Sequence, residues 1–221
     1  MRATPETITD LGAKPGGTPS GEATLLNLFN RPVAVDLSGR IEGYRKSDKK
    51  KLKPDDDKKK ISLDFTSDLH AARIHVEISE DDYARFTDIP ISVYDSSGKA
   101  IAQGSLEGTE TTMTVDNPEP EAESCSASLE IRPAFTYPDS DESAEFKVEI
   151  DYLYKDPIDV EVKRGEASQT TLYPAIPTGL SWSLKKMPPE TPEGTSPVGY
   201  LRASEKTTKQ PIAQIEILGK K

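Results

Sequence analysis

The sequence predicts an all-β chain: an antiparallel β-sandwich, jelly-roll-like, with additional C-terminal β-strands or a second small β unit. Three observations carry this. Short runs alternate apolar and polar residues, recurring at spacings of about ten to fifteen residues. No window repeats apolar residues at three and four over several turns. Pro (18) and Gly (14) are spread along the chain as punctuation between short segments. With 34% hydrophobic and 30% charged residues, the core has to be thin and distributed, as in a sandwich whose strands turn about half their residues outward.

The candidate strands follow in order. Runs 25–29 and 33–37 flank Arg31-Pro32, and 39–44 follows after one Ser. Run 60–65 alternates Ile61, Leu63 and Phe65; run 72–78 alternates Ile74, Val76 and Ile78 against Arg73, His75 and Glu77. Runs 91–95 and 99–104 form a hairpin around 95-DSSGK-99, where Asp95 accepts from loop amides and Gly98 takes a positive φ. Run 111–115 precedes an Asn-Pro turn. The longest runs, 126–135 and 143–154, read as an antiparallel pair around 137-YPDSDE-142, with Phe146, Val148, Ile150 and Tyr152 on one face of the second. Runs 158–162, 169–173, 180–184, 199–203 and 212–218 complete the set, the last two joined by the polar connection 204-SEKTTKQP-211.

Residues 1–22 read as a disordered or extended segment. Asp156-Pro157 marks a strand end, because Pro cannot continue a central ladder. The expected organisation is a β-sandwich at 23–155 and a C-terminal β-strand unit at 156–221, which alternatively completes the same sandwich. The basic run 49-KKKLKPDDDKKK-60, interrupted by three Asp, reads as a solvated loop.

Net charge is −10, and the stretch from Glu107 to Glu145 holds eleven acidic residues against Arg132 alone. Such a surface repels phosphate, so no nucleic acid is expected as a partner. No run approaches the ~20 apolar residues that span a bilayer, so no membrane insertion is expected. The start, MRATPETITDLGAKPGGTPSGEAT, lacks the apolar core of a leader but resembles the mature end of an exported protein. The expected location is extracytoplasmic or secreted.

Cys125 is the only cysteine, so no intrachain disulfide forms, and it lies in an alternating run without a neighbouring His. His70 and His75 lack metal-ligand spacing, and no GxSxG, P-loop or GxGxxG motif occurs. No catalytic residue is therefore assigned. The acidic clusters are Asp55/Asp56/Asp57, Glu80/Asp81/Asp82 and Asp139/Asp141/Glu142. Calcium takes six to eight oxygens, often from loop carboxylates, and Glu80, Asp81 and Asp82 are its candidate ligands; no other cofactor is expected. Trp182, between two serines and flanked by Leu180 and Leu184 on its own face, reads as core rather than as a sugar platform.

The runs 38-SGRIEGY-44, 60-KISLDF-65, 72-ARIHVEI-78, 89-IPISVYDSSGKAIAQG-104 and 145-EFKVEIDYLY-154 together resemble the bacterial pre-peptidase C-terminal domain, over residues 38–154. That family is a jelly-roll-like β-sandwich appended to secreted peptidases. The chain departs from it where KKKLKPDDDKKK replaces an acidic-aromatic element and where 125-CSASLEI-131 replaces a Gly-Tyr strand. The resemblance implies an ancillary role.

The expected function is a non-catalytic β-sandwich interaction module of an exported protein, binding a protein or carbohydrate surface. The alternatives are a structural or assembly component (a surface, appendage or virion jelly-roll protein) and a carboxylate-dependent hydrolase.

Overall fold

A computed structural model describes residues 1–9, 19–54, 56–136, 143–186, 189 and 191–219. The chain is all-β, as the alternation predicts. In chain order the strands are β1 (Arg2–Thr4), β2 (Thr7–Ile8), β3 (Ser20–Leu26), β4 (Val33–Leu52), β5 (Lys59–Thr66) and β6 (Leu69–Ile78). A one-turn helix, α1 (Glu80–Tyr83), precedes β7 (Phe86–Asp88), β8 (Pro90–Tyr94), β9 (Ala100–Ser105), β10 (Glu110–Asp116) and β11 (Ser124–Ile131). Then follow β12 (Ala134–Phe135), β13 (Ala144–Lys163), β14 (Gln169–Leu172), β15 (Pro177–Leu184), β16 (Thr195–Glu205) and β17 (Pro211–Leu218).

Two compact units result: a terminal unit, Met1–Tyr44 with Asp156–Lys221, and a central unit, Arg45–Lys155. This corrects the expected division into 23–155 and 156–221. Residues 20–44 pair with the C-terminal strands: β3 with β15, and the start of β4 with β14. Val33 pairs with Leu172 and Ala23 with Leu180, and all four are buried. The segment 1–22 is likewise structured where it is described, with β1 paired to β3 and β2 parallel to β17.

In the terminal unit the strand order is β1-β3-β15-β13-β4-β16-β17-β2. Strands β1 and β2 lie two residues apart in the chain yet edge opposite ends of this order. The two ends of the sheet are thereby held near each other, so that it nearly closes. The connection 204–211 is the predicted hairpin, joining β16 to β17. Trp182 is 4% exposed and belongs to the core; a Cβ on Gly21 would come within 2.8 Å of its indole.

The central unit is the sandwich. One sheet runs β5-β11-β8-β9; the other contains β10, β6 and the first half of β13, with β4 beside β13. Phe146, Val148, Ile150 and Tyr152 share the inner face of β13, and all are buried, as predicted. Leu63, Phe65, Val93 and Leu129 are buried from the four-stranded sheet, and Phe65 meets Tyr152 edge-on with ring centroids 6.0 Å apart. Burial pushes the Tyr152 hydroxyl up to about 12.

Three local expectations are corrected. Runs 126–135 and 143–154 do not pair: β11 pairs with β5 and β8, while β13 pairs with β6. Neighbouring strands in sequence are placed in opposite sheets, and the proposed turn 137–142, with Asp139, Asp141 and Glu142, lies outside the described residues. Strand β13 runs unbroken through Asp156-Pro157. Pro157 falls between the stretch that pairs with β6, ending at Tyr154, and the stretch that pairs with β15, starting at Val160. Its missing N–H interrupts neither ladder. Finally, much of the basic run is strand, with Lys49–Leu52 closing β4 and Lys59–Lys60 opening β5.

The basic residues have a specific partner. Glu130, with its side chain 6% exposed, contacts Lys58, Lys60 and Arg132 at 3.1, 3.0 and 2.9 Å. Desolvation is the largest single influence on this carboxyl and pushes it up. The hydrogen bonds from Arg132, Lys60 and Lys58 together outweigh it and hold the group at about 2, against an ordinary 4.5. A depressed folded-state pKa contributes stability that is full above the unfolded value and is lost as pH falls through the folded one. Urea melts of the wild type and Glu130→Gln are thus expected to differ most above pH ~4.5 and to converge toward pH ~2. A difference independent of pH would show that the cluster does not carry this charge coupling.

The hairpin β8–β9 is as predicted. Asp95 accepts from the Ser97 and Lys99 amides, each at 2.9 Å, and Gly98 has φ +83° with no atom near its Cβ position. The turn needs a left-handed residue and has space for a side chain, so the cost of substitution is conformational. Gly98→Val is expected to lower stability by about 1–2 kcal/mol in urea titration; an unchanged midpoint would refute the assigned turn.

Candidate functional site

The large hydrophobic side chains exposed among the described residues are Leu28 (63%), Phe29 (46%), Tyr173 (52%) and Ile176 (57%). All four sit on two loops of the terminal unit, 27–32 after β3 and 173–176 between β14 and β15. The sequence reading placed Leu28, Phe29 and Tyr173 inside strands. β3 ends at Leu26 and β14 at Leu172, which leaves these residues beyond their ladders. The signal that marks them is the proline near each: Pro32 lies three residues after Phe29, Pro174 directly follows Tyr173, and Pro177 follows Ile176 and opens β15.

The two loops are tied together by Asn27, which is 1% exposed. Its Nδ2 donates to the carbonyls of Arg31 and Leu172, both at 2.9 Å. Its Oδ1 accepts from the Phe29 amide at 2.9 Å, and its own carbonyl accepts from the Ala175 amide at 2.9 Å. A parallel bridge joins Asn27 to Pro174, and Ala175 adopts φ +56°. The side chain and carbonyl of one buried residue therefore satisfy backbone groups of the first loop, of the end of β14 and of the second loop. The apolar tips are presented on a preformed frame, which reduces the entropy lost on docking. At the rim Arg31 pairs with Glu205 at 3.2 Å, and 27–32 and 173–176 contain no acidic residue.

The sequence-selected calcium residues lie in the central unit. Glu80, Asp81 and Asp82 form the first turn of α1, capped by Ser79, whose Oγ accepts from the Asp82 amide at 3.1 Å. Glu80 and Asp81 are exposed. The Asp82 carboxylate accepts from the Glu145 amide at 3.2 Å and faces Arg85 at 3.5 Å, so it is engaged in holding the helix. Among the described residues no group of three or more His, Cys, Asp or Glu side chains is disposed to hold a metal ion.

Elsewhere, His70, His75, Cys125 and Asp56 each have a structural partner. His70 contacts the Tyr154 carbonyl through Nδ1 at 3.0 Å, and His75 contacts Thr112 Oγ1 at 3.0 Å. Cys125 donates to Asn117 Oδ1 at 3.1 Å, and Asn117 in turn donates to the Leu69 carbonyl at 3.0 Å. Asp56 caps its turn by accepting from the Lys53 amide and pairs with Lys59, both at 2.8 Å.

No family model matches the chain. No curated protein matches it either. Solved structures similar to it include tripeptidyl peptidase 2, at 9% identity and a TM-score of 0.45, covering 97% of this chain and 19% of that chain. A second is the Yersinia pseudotuberculosis-derived mitogen, at 8% identity and a TM-score of 0.31, covering 51% of this chain and 87% of that one. A third is the VP2 subviral particle of infectious bursal disease virus, at 9% identity and a TM-score of 0.28, covering 80% of this chain and 46% of that one. The chain thus spans 19% of the length of the tripeptidyl peptidase 2 chain.

Proposed function

We propose that the chain is a non-catalytic β-sandwich interaction module of an exported protein, docking on an apolar patch of a partner protein through Leu28, Phe29, Tyr173 and Ile176. The observation that carries this reading is the concentration of these four exposed side chains on two loops held by one buried Asn27. Rigid aromatic and aliphatic anchors on a frame are what a protein interface uses for its central contacts. Scattered exposed apolar residues need no explanation; four of them on two loops tied by one residue do.

The test places a photo-reactive phenylalanine at position 29 of the full chain in an extract of the native source. The expected result is one cross-linked protein, lost when Ile176 and Tyr173 are changed to Asp and competed by unlabelled wild type. Labelling at exposed Thr66, in the central unit, should yield no such product. Capture of a second copy of this chain instead, with concentration-dependent assembly in sedimentation, would replace this reading with the structural one. Retention on a glycan array, lost in Phe29→Asp, would replace the protein partner by a sugar.

A further inference from the structure

The central unit carries a depression of about 450 Å³ that the apolar loops do not touch. Its lining includes Tyr83, Phe86 and Leu106 together with Asp88, Ser105 and Glu107; no Lys, Arg or His lines it. From this geometry we infer that the depression binds an organic cation, an alkylammonium or guanidinium group on an apolar stem, between the Tyr83 and Phe86 rings and the Asp88 and Glu107 carboxylates. A cation over an aromatic face is drawn by the ring quadrupole, and a carboxylate at the rim supplies the counter-charge.

The site is built rather than incidental. The Phe86 ring packs on Phe135 at a centroid distance of 4.4 Å and on Phe146 at 5.6 Å, which fixes one wall. Tyr83 closes α1, whose start Ser79 caps, and Arg85 anchors the following turn by donating to the Ser143 carbonyl at 3.0 Å. Asp88 is oriented by its own Oδ1, which accepts from the Ile89 amide at 2.8 Å and from Ser105 Oγ at 2.7 Å. Both bonds fall on one oxygen, and neither Asp88 nor Glu107 has an ion-pair partner among the described residues. This contrasts with Glu130, Asp151 and Asp82 of the same unit, each of which faces a cation. Exposed Glu80 and Asp81 on the adjoining α1 add to the negative field. A hard divalent ion takes six to eight oxygens; two aromatic rings and a leucine suit a softer, partly apolar cation.

Amide-resolved NMR titration of the full chain tests this with tetramethylammonium, with N-acetyl-arginine methylamide, and with neopentyl alcohol as the uncharged isostere. Shifts confined to 83–88 and 105–108 are expected with the cations. A stronger response to the arginine derivative identifies a peptide side chain as the source, and a stronger response to tetramethylammonium a free ammonium compound. Glu107→Gln, at an exposed position, is expected to weaken binding about tenfold without altering the fold, and Asp88→Asn similarly. Equal binding of the neutral alcohol, unchanged affinity in Glu107→Gln, or no shift at these residues with either cation would overturn the assignment.

Discussion

Asp151→Ala is expected to destabilise the central unit by about 3–5 kcal/mol, because it removes the carboxylate that Arg45 and Arg73 share in a largely buried ion cluster. The Asp151 side chain is 5% exposed and accepts from Arg45 Nε at 2.6 Å and from Arg73 at 2.8 Å. Arg45, itself 16% exposed, also contacts Glu149 at 3.3 Å. Removing the carboxylate leaves Arg45 partly buried against an apolar replacement. For a chain of this length the loss corresponds to a fall in Tm of roughly 6–20 °C. Lys49→Ala is the internal comparison. Its pair with Glu145 has side chains 70% and 41% exposed, so its loss should stay within about 1 kcal/mol. Thermal and urea melts of the two variants decide the matter: equal losses would mean that the buried cluster contributes no more than a surface pair.

Gly199→Ala is the second large effect, and it acts on the terminal unit. A Cβ at this position would lie 2.1 Å from the Arg40 carbonyl oxygen and 2.7 Å from Ile41 Cα. Both obstacles are backbone, so no rotamer change relieves them, and β16 has to separate from β4. The expected cost is about 3 kcal/mol or more, at or beyond the usual range for overpacking. Gly179→Ala provides the contrast, since nothing lies within 4 Å of its Cβ position. That substitution should be neutral or stabilising by up to about 1 kcal/mol through the unfolded chain. If the two variants share a urea midpoint, the close β4–β16 approach is not as described.

Both effects rest on contacts between residues far apart in sequence, and this explains why neither was legible beforehand. Asp151 reads from sequence as one of the outward polar residues of an alternating strand. It is buried because Arg45 and Arg73, on the strands flanking β13, close over it. Gly199 reads as the first residue of an ordinary strand, and only the neighbouring β4 backbone makes its missing side chain a requirement.

The candidate site divides in the same way. Leu28, Phe29 and Tyr173 are visible as apolar residues, and the prolines beside them are visible as breaks. Their exposure is decided by where the ladders of β3 and β14 stop, and their grouping by the Asn27 bonds across 145 residues of chain. The Tyr83–Phe86 depression draws on Tyr83, residues 86–89 and residues 105–108, whose separation in sequence hides their common cavity.

Local chemistry alone determined the all-β class, the inward face of β13 and the hairpins at 93–104 and 204–211. Alternation, turn residues and glycine conformation act over a few residues, and a short stretch carries all the information they need. Tertiary structure decided which strands are partners, why Pro157 can stand inside a strand, how residues 1–44 join the C-terminal third, and which apolar residues remain outside. Those outcomes depend on loop closure and on burying the most apolar surface with every backbone group paired, a balance struck over the whole chain.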